Sequence, residues 1–69
     1  MNNGEYLIAA GKKIRALRQS KGISLQQMAV MASNHKSCLS DIENGKMNVK
    51  IIALKRIADV LECNVKDFL

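Results

Sequence analysis

Apolar residues recur along this chain at spacings of three and four, in five short runs broken by polar or glycine punctuation. That period turns one face of each run toward a core and predicts helices throughout. The first run spans about Glu5 to Ser20. Leu7, Ala10, Ile14 and Leu17 share its inner face, Lys12, Lys13 and Arg15 lie elsewhere, and Gly22 follows as a helix-ending glycine. The second run opens at Ser24, whose hydroxyl forms a capping box with Gln27 three residues on. Leu25, Met28, Ala29 and Ala32 then face inward. At about two turns this helix cannot stand alone. "SNH", Ser33 to His35, is a break. The third run, Lys36 to Asn44, turns Leu39 and Ile42 inward with Cys38 on the flank, and Gly45 stops it. The fourth, Ile51 to Leu61, directs Leu54, Ile57, Ala58 and Leu61 inward. Asn64 is placed to cap a last turn, with Asp67 near its start and Val65, Phe68 and Leu69 as its apolar residues. No segment alternates as a strand would. The expectation is one all-α domain over residues 1–69, built from five short helices.

Composition narrows the picture. The chain has 69 residues, too few for a second domain. A core of this size is marginal, and such domains often gain stability by dimerising. With 48% hydrophobic residues, disorder is not expected. No apolar run reaches transmembrane length. "MNNGEYLIAAGKK" lacks the basic start and long apolar centre of a secretory signal, so the cytoplasm is the expected location. Two cysteines, Cys38 and Cys63, are too few for a disulfide framework and read as reduced, partly buried thiols. The formal charge of +5 is a moderate basic excess, compatible with nucleic acid or with a merely solvated surface.

The second and third helices are short and closely joined, the arrangement of a helix-turn-helix at about residues 24–44, whose second helix enters a DNA major groove. The outward face of the third helix carries Lys36, Ser37, Ser40, Asp41 and Asn44, all without bulky apolar groups. Lys36 can donate to guanine, Ser37 and Ser40 can donate or accept, and Asp41 either accepts from cytosine, pairs with a neighbouring Lys or lies off the groove. Periodicity alone leaves the same face equally well explained as solvated surface.

Four stretches carry a resemblance: "IRALR" before Gly22, "ISLQQMA" opening the second helix, "LSDIENG" closing the third and "LKRIADVL" in the fourth. In this order and spacing the chain from about Gly11 to Leu69 resembles the Cro/phage-repressor-type (Xre-like) helix-turn-helix family. "HKSCLSDIENGKMNV" is similar to the controller proteins of restriction–modification systems. The resemblance implies a compact lambda-repressor-like DNA-binding domain. It implies a homodimeric transcriptional regulator on an inverted-repeat operator, either a restriction–modification controller or a phage or mobile-element repressor, with double-stranded DNA as partner and no cofactor. RNA polymerase is a further candidate partner. An antitoxin, gripping a toxin protein while repressing its own promoter, is the alternative.

Carried over by position, Lys36, Ser37 and Asp41 match residues that touch base edges, with Ser40 a weaker member of that face. Ser24, Asn44 and Lys46 match residues near phosphates. Arg18 and Glu43 match a pair that ties the first helix to the recognition helix. Departures from the family pattern are Leu25 for a backbone-contacting Gln, Ser33 for a turn Gly, and Asn34 for an inward aliphatic residue. Met47 stands for an Arg of the controller group, and Lys50 for a Ser or Thr cap. Ser33 therefore predicts a strained turn, Asn34 a cap for the third helix or a poorer core, and Lys50 a fourth helix starting at Asn48. Ile52, Val60, Val65 and Leu69 have no evident inward place, which makes the fourth and fifth helices the expected dimer surface.

His35, Cys38 and Cys63 lack the paired spacing of a zinc site. His35 with Cys38 lacks the orienting third group of a nucleophile pair. Neither metal nor enzymatic chemistry is expected.

Overall fold

A computed structural model describes residues 3–46 and 48–68, so expectations for Met47 and Leu69 lie outside the described residues. The described chain is all-α, without strands: α1 (Asn3–Ser20), α2 (Leu25–Met31), α3 (Lys36–Glu43), α4 (Ile51–Leu61) and a 3-10 turn at Val65–Phe68. It measures 31 × 22 × 20 Å.

The inner faces meet as their spacing requires. Ile14 from α1, Met28 from α2, Leu39 from α3, and Ile57 and Leu61 from α4 are fully buried around one core, closed by Phe68. Leu17, Leu25 and Cys38 pack partly against it. All four α-helices end alike. A residue at positive φ follows the last turn, and the next amide reaches back five residues to a carbonyl near the helix end. For α1 that residue is Gly22, at φ 68, and the reaching amide is Ile23 N–H to Arg18 C=O at 3.2 Å. Ser33, Gly45 and Glu62 hold the same position after α2, α3 and α4.

Two sequence expectations need correction. The fifth helix is a single 3-10 turn of four residues, because i→i−3 bonds close in a segment too short for an α-helical ladder. Its cap also runs the other way. The Asp67 carboxylate accepts the Asn64 N–H at 3.0 Å, while the Asp67 N–H donates to the Asn64 carbonyl at 2.9 Å. Second, α4 starts at Ile51 with Lys50 as its cap residue, not at Asn48. An ammonium has no acceptor to offer the first-turn amides, so this end carries no side-chain cap.

Candidate nucleic-acid interface

The site is built on α2, α3 and the turn between them. Ser24 opens α2 with extended backbone; its Oγ accepts the Gln27 N–H at 3.0 Å, and Gln27 Oε1 accepts the Ser24 N–H at 2.8 Å. This is the reciprocal box expected from the sequence. It occupies the Ser24 oxygen as an acceptor yet leaves the hydroxyl proton free to donate outward.

The turn bends through Ser33 at φ 53. Its amide donates to the Val30 carbonyl at 3.2 Å, and the Asn34 amide donates to the Ala29 carbonyl at 2.8 Å. Asn34 is half-buried and its Oδ1 accepts the His35 N–H at 2.8 Å. The cap residue of α3 is thus His35, whose side chain makes no capping bond, and Asn34 orders the residue before the helix rather than the helix itself. Asn34 also lines a groove with Cys38, Ile42, Val49 and Ile52.

On the outward face of α3, Lys36, Ser37 and Asp41 are exposed. Their side chains form no hydrogen bond or ion pair with another described residue. Ser40 is half-buried. Asn44 is exposed, but its Nδ2 folds back to the Ser40 carbonyl at 2.8 Å and stands 3.5 Å from Ser40 Oγ, so one of its two amide protons is already used. Lys46 is exposed just past Gly45, its backbone N–H on the Asp41 carbonyl at 2.8 Å. The exposed set is therefore one cation, one hydroxyl and one carboxylate on bare helix, with a second cation at the helix end.

A tie to α1 holds this helix in place. Arg18 Nε donates to Glu43 Oε2 at 2.7 Å and Arg18 Nη2 to Glu43 Oε1 at 3.1 Å, a two-pronged pair with side chains only 11% and 6% exposed. The Arg18 value is pushed up by the hydrogen bond to Glu43, with burial opposing and the carboxylate charge adding. Arg18 Nη1 also donates to the Ile23 carbonyl at 2.8 Å, a bond the sequence did not signal. Removing either charge would strand the other in a poorly hydrated place.

The residues expected at a dimer surface separate into two groups. Val60, on α4, and Val65, in the closing turn, are half-buried and pack against the core, whereas Ile52 is 57% exposed beside Ile51 at 70%. Cys38 and Cys63 are half-buried and stand outside any disulfide among the described residues. Burial pushes the Cys63 thiol up, Asp67 adds to the rise, and Lys21 opposes it. Among the described residues, no group of three or more His, Cys, Asp and Glu is placed to hold a metal, and no helix is long and apolar enough to cross a membrane.

The helix-turn-helix family model HTH_3 matches residues 14–68. The chain belongs to this family, in its Xre-like branch. The control protein C.BamHI of Bacillus amyloliquefaciens is 35% identical over 60 residues, which cover 86% of this chain and 74% of that protein. The crystal structure of the restriction–modification controller protein C.AhdI from Aeromonas hydrophila is similar with a TM-score of 0.88 at 25% identity, over 91% of this chain and 96% of that one. SinR, a master regulator for biofilm formation solved in complex with DNA, is similar with a TM-score of 0.80 at 37% identity, over 86% of this chain and 95% of that one.

Proposed function

We propose that this helix-turn-helix protein is a sequence-specific DNA-binding transcriptional regulator that acts as a homodimer on an inverted-repeat operator, in the manner of a restriction–modification controller. The observation that carries the reading is Lys36, Ser37 and Asp41 exposed on α3, their side chains without a hydrogen-bond partner among the described residues, on a helix whose other end is tied to α1. Likeness to C.BamHI and C.AhdI supports the controller role, and likeness to SinR in its DNA complex supports the ligand.

Lys36, Ser37 and Asp41 are the base-reading residues, with Ser40 in a lesser part. Ser24, Asn44 and Lys46 contact phosphates and set the register without reading sequence. Asn44 does so with the one amide proton its contact to Ser40 leaves over. On an inverted repeat, the two α3 helices of the dimer would meet major grooves about 34 Å apart, one turn of DNA. Ile52, with Ile51 beside it, is the exposed apolar surface assigned to the second copy.

The test is selection of bound DNA from a random duplex pool at about 150 mM salt. Enrichment of an inverted repeat with half-sites one turn apart is the expected result. Weak, purely salt-sensitive binding with no enriched sequence would overturn the reading. Sedimentation equilibrium at high micromolar concentration checks the dimer, and a monomer throughout would remove that part.

A further inference from the structure

Gly11 is buried in the middle of α1. Glycine weakens a helix interior relative to alanine, so the position needs a reason from outside the helix. A Cβ built there would lie 2.5 Å from the carbonyl oxygens of both Ile42 and Glu43, and 2.8 Å from the Glu43 carbonyl carbon. These are the last two residues of α3. One turn back along α1 the contact repeats in the opposite sense. A Cβ on Gly45 would lie 2.8 Å from Ile8 Cα and 2.9 Å from Ile8 N. Over Ile8 to Gly11, then, the backbone of α1 meets the backbone at the end of α3 in two places, and at Gly45 the Ile8 Cγ1 comes as near as the backbone, 2.8 Å from the same Cβ. Backbone cannot rotate aside as a side chain can. The Arg18–Glu43 pair fastens the same end of α3 about two turns further along α1.

We propose that Gly11 is a positioning residue. Its bare Cα is the seat that sets how α3 is tilted, and so where Lys36, Ser37 and Asp41 stand against the bases. The proposal rests on the DNA-binding reading above. Alanine at this position has to lift the end of α3 by about 1 Å to reach ordinary contact distance. On a helix of eight residues, about 12 Å long, such a lift reaches the far end. Hydrogen bonds to base edges weaken steeply over such a shift. Lysine contacts to phosphate tolerate it, because an ammonium on a flexible stem acts as a point charge. Displacing the seat therefore removes discrimination and leaves general DNA affinity in place.

The test is Gly11→Ala in the full chain, with Ala9→Gly as a control that weakens the same stretch of α1 without adding an atom. The probes are a duplex selected by the wild-type protein from a random pool and the unselected pool itself. The ratio of the two affinities should fall about tenfold in Gly11→Ala, the equivalent of one base contact. Affinity for the unselected pool should hold, and Ala9→Gly should keep the wild-type ratio. If Gly11→Ala does not fold, Ile8→Ala takes its place. It removes the side chain that meets Gly45, at a position 45% exposed, and should lower the ratio in the same direction. A wild-type ratio in the variant that folds overturns the proposal. A second readout needs no DNA. Residual dipolar couplings of the α3 amides should change as a block relative to α2, and unchanged couplings would likewise overturn the seat. Should the wild type enrich no duplex, the DNA reading fails, and the couplings alone decide the seat.

Discussion

Helix α3 begins and ends with the same backbone device, built from different residues. Before α3 the chain turns through Ser33 at φ 53; after it, through Gly45 at φ 69. Each turn reuses the amide pattern that satisfies the carbonyls at a helix end. The surroundings differ. Ser33 is exposed, and its left-handed backbone is a local strain that the turn tolerates. Gly45 lies on the backbone of Ile8, where any Cβ collides whatever its φ. The Arg18–Glu43 pair closes the same end. One end of α3 is therefore free to vary, while the other is specified by α1. The free end is the one that carries Lys36 and Ser37.

That contrast can be broken in graded steps. Gly45→Ala combines left-handed strain with an overpacked backbone contact and should cost about 3 kcal/mol or more, read from the midpoint of urea unfolding. In a chain this size that is a large part of the whole stability, and a midpoint close to wild type would mean the Ile8 contact yields easily. Arg18→Ala leaves Glu43 unpaired in a poorly hydrated place. It should cost about 2–3 kcal/mol by the same measurement, with the Ile23 carbonyl losing its donor as well. At the free end the effect should move from folding to binding. Lys36→Ala should leave the unfolding midpoint where it is and cost about 1–3 kcal/mol on the selected operator by titration. An equal loss on random DNA would reduce Lys36 to a phosphate contact. The smallest effect has the opposite sign. Ser33→Gly relieves the strained turn, though it loosens the unfolded chain, and should stabilise by about 0.5–1 kcal/mol in urea. Destabilisation there would show that the serine side chain does something the turn geometry does not reveal.

The sequence made the four α-helices and their inner faces readable, because each repeats its apolar positions over enough turns for the period to declare itself. The Ser24–Gln27 box was readable for a different reason: it is a local bond between residues three apart. Arg18 and Glu43, 25 residues apart, have no local signature, and only the likeness to a family paired them. Four residues were too few to separate an α-helical last turn from the 3-10 turn at Val65–Phe68. Val60 and Val65 read as free of the core because a single helix's period knows nothing of a neighbour, yet both pack partly against it. Gly11 was the least legible of all. A glycine inside a helix pattern reads as a flaw until the carbonyls of Ile42 and Glu43 are seen against it.

Arg18 bonds to a carbonyl five residues ahead and a carboxylate 25 ahead. The longer of these bonds closes a loop of chain that contains the whole of α2, a helix of seven residues with no stability of its own. Opening α2 by itself would leave that loop closed around an unfolded strip, so little entropy would be recovered to offset the packing given up. In native-state hydrogen exchange the amides of α2 and α3 should therefore behave as one cooperative unit, released when the guanidinium lets go.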